Sequence, residues 1–290
     1  MKLNEVFGFL LVLLAIYLGV NATDRGDVGD GLFDGADADV DVDVDDDDPD
    51  DDVDVDVDVD EDGELSADRR ERANRRSLIA RSDFCRDVGG DSRFDDLGRR
   101  YEDAVRCMEA AGVVTGVTSD TYAPHDAVTR AQTASTVAAM IRSSNRLESP
   151  DVNLRSLPEV TQARFVDVAP DSPHADAIAS LNEAGIIEGY VDGRYEPNGR
   201  VSRGQMASIL DRTYKYLTDD ALPAGTDHFS DDDESVHEDS INAVAEAHIM
   251  GRTRALEFDP GHAVRRGPMA AFMARTMIRL ERTERILPLQ

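Results

Sequence analysis

The chain has 290 residues, 60 acidic against 31 basic, and a formal net charge of -29. Such an excess argues against nucleic-acid binding, because nothing here could neutralise many phosphates. With no Trp and 6% aromatics, a deep stacking platform for bases or sugars is disfavoured too, while the length allows one or two domains with a real core.

Residues 1–22 open with Lys2, continue through an uninterrupted apolar run from Val6 to Val20, and end on the small-residue site Val20-Asn21-Ala22. That order predicts a secretory signal peptide. The run is 15 residues, short of the roughly 20 that span a bilayer, so no membrane span is expected after cleavage. Glu5 weakens the positive end, which leaves an uncleaved anchor as the alternative. Export permits disulfides. The two cysteines, Cys85 and Cys107, are expected to form a bridge, the other reading being two buried thiols. Alone at this spacing they build no metal site.

Thr23 to Glu64 holds 22 Asp or Glu and one Arg. Within it, Asp39 to Asp62 is largely alternating Asp and Val. Alternation ordinarily signals a strand. Here every second residue carries the same charge, and valines alone do not offset the repulsion and ordering entropy. Residues 23–64 are therefore expected to be a disordered, extended polyanionic spacer. Asp58-Val59-Asp60-Glu61-Asp62-Gly63 matches the first half of an EF-hand loop, but its twelfth position is Arg69 where a bidentate Glu is needed. Loose calcium accumulation through charge density fits better, and no other cofactor is expected. Within residues 65–84 the sign reverses from Leu65 to Arg81, with Arg69, Arg70, Arg72, Arg75, Arg76 and Arg81 against Asp68 and Glu71. They read as a linker, helical in one reading.

The remainder repeats itself in three copies, over 85–145, 160–217 and 226–282. The middle copy runs Phe165-Val166-Asp167-Val168, then Pro173 to Ala184, then Gly185 through Gly189-Tyr190-Val191-Asp192-Gly193 to Pro197, then Val201-Ser202-Arg203-Gly204-Gln205. Shifting back by 73 places Gly112, Gly116, Tyr122, Pro124, Val128, Thr129 and Arg130 on Gly185, Gly189, Tyr195, Pro197, Val201, Ser202 and Arg203. Shifting forward by 63 places Phe258, Pro260, Val264 and Arg266 on Tyr195, Pro197, Val201 and Arg203. Phe94-Asp95-Asp96-Leu97 and Phe229-Ser230-Asp231-Asp232 answer the opening motif.

Each copy reads as helix, loop, helix. Ser172 is the expected N-cap of the first helix of the middle copy, with Pro173 at its first position, and Gly185 ends it. Ser202 to Gln205 and Thr129 to Gln132 are capping boxes. Met206, Ile209, Leu210, Thr213 and Leu217 make an apolar stripe, as do Met269, Phe272, Met273, Met277 and Leu280. One hairpin cannot bury its stripe alone, so a mostly α domain with one shared core is expected.

Arg130, Arg203 and Arg266 each follow a cap position. An acid would suit the helix dipole better there. Two readings stand side by side: a receptor for a carboxylate or phosphate, built from the helix N-terminus and the forked guanidinium, or internal pairing with a loop acid such as Asp192.

These motifs closely resemble the S-layer homology family: F-x-D-V, a helix, G-I-x-x-G-Y/F-x-D-G-x-F-x-P, then T-R-A-E leading a second helix. The resemblance covers about residues 92–282. It implies a pseudo-threefold helical domain at the cell surface, bound non-covalently to an acidic wall polysaccharide that often bears pyruvate ketals. It assigns the acidic sugar to Arg130, Arg203 and Arg266. The family's Glu is replaced by Gln132, Gln205 and Pro268. The loop G-Y-x-D-G is intact only at Gly189–Gly193, its counterparts being Gly116-Val117-Thr118-Ser119-Asp120 and Arg252-Thr253-Arg254-Ala255-Leu256. The middle groove, with Arg203, Tyr190, Asp192 and Gly193, is thus the leading candidate.

No catalytic motif is found outside the Asp tract, and no enzyme is expected. His228 and His237 flank Asp231–Asp233, but their spacing fits no known ligand set, so no metal is expected. The reading is a non-enzymatic, exported wall anchor, with other surface-layer subunits as further partners. The alternatives are a calcium-accumulating polyanion and a self-assembling surface-layer subunit.

Overall fold

The computed structural model describes Ser92 to Leu289, apart from 161–164 and 254–256, together with Ile79, 82–86, Val88 and two short strands. The signal peptide, the half EF-hand loop, and most of the acidic tract and Arg-rich linker lie outside the described residues. Two pieces of the tract, β1 (Val40–Asp43) and β2 (Asp54–Val57), pair as a two-stranded sheet.

The helical part holds α1 (Asp83–Arg86), α2 (Arg99–Ala110), α3 (Arg130–Arg146), α4 (Ala175–Glu183), α5 (Arg203–Thr218), α6 (Glu238–Glu246) and α7 (Arg266–Arg282). Among the described residues no helix is long and apolar enough to cross a membrane. The three long helices begin where the arginines predict. Thr129 and Ser202 close complete capping boxes with Gln132 and Gln205. Arg265 caps α7 without a side-chain cap bond, since a guanidinium has no acceptor and Pro268 at the third position has no N–H to offer. The start of α4 differs from the expectation. Ser172 accepts from the backbone of His174 and Ala175 in a turn, so the helix begins only at Ala175.

The stripes are buried as a single core. Ile178, Leu181, Met206, Leu210, Met273, Met277 and Leu280 are each 1% exposed or less. Full burial of such a side chain contributes about 1.5–3 kcal/mol. The helices pair across copies. The short helix of each copy packs on the long helix of the copy before it: α4 on α3, α6 on α5, and α2 on α7, while α3 also meets α5 and α7. The first and last copies therefore close a ring.

Three equivalent valines sit at its centre. The Val128 N–H donates to the Val264 carbonyl (2.9 Å), Val264 to Val201 (2.8 Å), and Val201 to Val128 (3.3 Å). All three are buried. Cys85 on α1 and Cys107 on α2 are disulfide-bonded.

Candidate functional site

Each copy builds its loop on one aspartate. The Asp96 carboxylate accepts from the backbone of Tyr122 and Ala123, Asp167 from Tyr195 and Glu196, and Asp231 from Phe258 and Asp259. The second partner has a left-handed backbone each time, at Ala123, Glu196 and Asp259. The carboxylate thus holds a turn that L-residues otherwise disfavour. Burial acts to raise the Asp167 carboxyl, but the amides of Tyr195 and Glu196 outweigh it and keep it below its ordinary value. The phenylalanine two residues earlier lies against the loop aromatic: Phe94 on Tyr122, Phe165 on Tyr195 and Phe229 on Phe258, with ring centres 5.2–5.5 Å apart. It also approaches the loop backbone. A Cβ at Gly189 would stand 2.2 Å from the Phe165 ring, so only glycine fits.

The arginines reach across copies. Arg130 donates from Nε to the Tyr195 carbonyl (2.7 Å) and from Nη2 to Glu188 (2.8 Å). Arg203 donates likewise to Phe258 (2.7 Å) and Gly251 (2.6 Å). Arg266 donates to Tyr122 (2.7 Å) and Thr115 (2.8 Å). Each guanidinium also lies over the aromatic ring of the loop it enters, 4.4–4.7 Å from the centre, a stabilising cation–π geometry.

Two expectations are corrected here. The sequence offers the arginine as part of a helix-terminus anion receptor or as the partner of a loop acid. The helix termini are already covered. The amides of Arg130 and Ala131 donate to Gly199 and Pro197, those of Arg203 and Gly204 to His262 and Pro260, and those of Arg266 and Gly267 to Asp126 and Pro124. The third amide of α3 and of α5 takes the cap hydroxyl. Asp192 accepts from the backbone of Arg194 in its own loop.

The second correction concerns register. Arg203 does not share a groove with Tyr190, Asp192 and Gly193. The ring places each arginine in the loop of the next copy, so the intact loop Gly189–Gly193 faces Arg130. There the guanidinium is flanked by Tyr195 and by Tyr190, whose ring centre is 5.2 Å away. Tyr190 is 44% exposed and Val191 fully exposed beside it. The loop turns tightly, with Gly193 at φ 79° and its amide donating to the Tyr190 carbonyl. Among the described residues, Nη1 of Arg130 makes no hydrogen bond. Arg203 instead lies between Phe258 and Phe272, and Arg266 enters the loop where Val117 stands in place of Tyr190.

Residues 93–134 and 164–207 match the S-layer homology domain family. The chain carries S-layer homology repeats. Residues 226–282 lie beyond that match and share with the two matched copies the aspartate clamp, the arginine and the valine. The chain is 27% identical over 176 residues to an S-layer protein of Bacillus thuringiensis subsp. finitimus, 60% of this chain and 20% of that one. It is 30% identical over 118 residues to the surface-layer 125 kDa protein of Lysinibacillus sphaericus, 40% of this chain and 9% of that one. It is 30% identical over 166 residues to an amylopullulanase of Thermoanaerobacterium thermosulfurigenes, 56% of this chain but 8% of the enzyme. The chain thus spans a fifth or less of these relatives' lengths.

Proposed function

We propose that this chain is a non-catalytic anchor that holds an acidic cell-wall polysaccharide, pyruvylated in the leading case, in the groove between the first and second copies. The S-layer homology repeats make the chain a cell-surface protein anchored at the cell wall, and the third copy completes the ring as a further S-layer homology repeat. The observation that carries the ligand chemistry is Arg130, held by two carbonyls and two tyrosine rings with one edge of its guanidinium left over. A sugar carboxylate would meet that edge as a charge-assisted pair. Tyr190 would give the sugar ring a shallow apolar face, and Asp192 and Gly193 would shape the turn that presents it. Arg203 and Arg266 serve equivalent grooves, and the one at Arg203 is apolar on both sides of the guanidinium.

The test is co-sedimentation of the protein with purified wall sacculi, before and after acid extraction of the attached polysaccharide. Binding is expected to need the polysaccharide and to fall at least tenfold in Tyr190→Ala, whose half-exposed ring contributes no more than about 1 kcal/mol to the fold through Arg130. Arg130→Ala is expected to lose binding as well. Binding that survives extraction, or that ignores both substitutions, overturns this reading.

A further inference from the structure

The opening motif of the third copy ends on a carboxylate where the other two end on hydrocarbon. Residue 97 is Leu and residue 168 is Val, both packed against the core; the equivalent residue 232 is Asp. Asp232 is fully buried, and among the described residues neither carboxylate oxygen has a hydrogen-bond partner. A buried carboxylate without a partner is strongly unfavourable. The charges that bear on it, Asp231, Asp227 and Glu238, have the same sign.

Its oxygens are not directed at random. Carboxylate oxygens of Asp227, Asp232 and Asp233 all lie within 4.8 Å of one another. Two oxygens bound to one calcium ion at about 2.4 Å cannot be farther apart than about 4.8 Å, and every pair among the three meets that condition. Asp231 is not part of the set, since both of its oxygens serve the loop amides. Neither histidine of the segment is either: His237 meets Ser208 and His228 meets Glu246. The donors are oxygen only, which suits a hard cation and disfavours zinc. Asp227 and Asp233 are exposed, so an ion would reach the site from solvent and keep several waters.

We infer that Asp227, Asp232 and Asp233 form a divalent-cation site of calcium size at the mouth of the third copy. It uses no carboxylate of residues 23–64 and none of the three groove arginines. Asp232 would serve as its buried anchor, and the ion would lock the segment 227–233 to the α6 entrance and so to the Phe258 loop that Arg203 enters.

The experiment follows thermal unfolding of the full chain by the near-ultraviolet signal of its tyrosines, in EDTA and in millimolar calcium chloride. Wild type is expected to gain on the order of 5 °C in calcium. Asp232→Val restores the residue of the middle copy. It is expected to melt in EDTA at or above the wild-type temperature and to lose the calcium shift. A wild-type midpoint indifferent to calcium overturns the site. So does an Asp232→Val protein that keeps the full shift, which would place the ion in the acidic tract. Should Asp232→Val fail to fold, Asp227→Asn decides: at an exposed position it is expected to leave the EDTA midpoint alone and at least halve the shift, and an unchanged shift refutes the proposal.

Discussion

The Nε of Arg203 donates to the carbonyl of Phe258, 55 residues onward and one copy away, at 2.7 Å. The same guanidinium reaches Gly251 and is 5% exposed as a residue. It is therefore a structural tie before it is anything else. Arg203→Ala leaves two carbonyls short of a donor and removes a ring contact. A loss of about 3 kcal/mol is expected, read from urea unfolding. Arg266→Ala, at a less buried position, is expected to lose less.

The aspartate clamps make a second test. Asp167→Asn keeps one acceptor oxygen and turns the other towards the amides as an NH2 group. The left-handed turn at Glu196 then loses half its support. A loss of about 1–2 kcal/mol is expected in the same measurement.

His248 has φ 57°, at the position where Gly112 and Gly185 both have φ 71°. Those glycines carry no strain, whereas a side chain in this region is unfavourable by about 1 kcal/mol. His248→Gly is expected to raise the unfolding midpoint by a few degrees. A lowered midpoint would mean that the imidazole makes a compensating contact.

Alkaline stability depends on two phenols. Burial pushes Tyr122 and Tyr195 up to about 12 against the nearby Arg266 and Arg130, and each hydroxyl donates to the carbonyl of that same arginine. The folded protein holds these protons where the unfolded chain, with an ordinary value of 10.0, has lost them. Stability is thus whole below pH 10 and falls as the pH rises towards 12. Tyr195→Phe is expected to flatten part of that fall, while costing about 1 kcal/mol at neutral pH through the lost hydrogen bond.

The Cys85–Cys107 bridge spans 22 residues. Replacing both cysteines by serine is expected to lower stability by about 3 kcal/mol, the chain-entropy figure for a loop of that length. Midpoints measured with and without reductant provide the check.

The local pattern was readable because its causes are local. Thr129 with Gln132 and Ser202 with Gln205 announce their helices, and the stripes from Met206 to Leu217 and from Met269 to Leu280 announce the core. The partnering of Arg130 with the Tyr190 loop was not readable. An arginine at a helix start could enter its own loop or its neighbour's, and only the ring of valines decides between them. The start of α4 was missed because Ser172 serves equally well in a turn. Asp232 did carry a signal: set against Leu97 and Val168 in the same motif, a carboxylate stands where the other copies place hydrocarbon.

The ring through Val128, Val201 and Val264 also sets what the chain can lose. In an open array each unit could be shortened away and its neighbours would carry on. Here the groove of the first loop is completed by Arg266, 144 residues beyond Tyr122, and that meeting is slow to reach in folding because so much chain must be closed first. A nascent protein therefore has no finished circle of sites until its final long helix has emerged, and a single cut in that helix would open the circle where it meets α2 and α3.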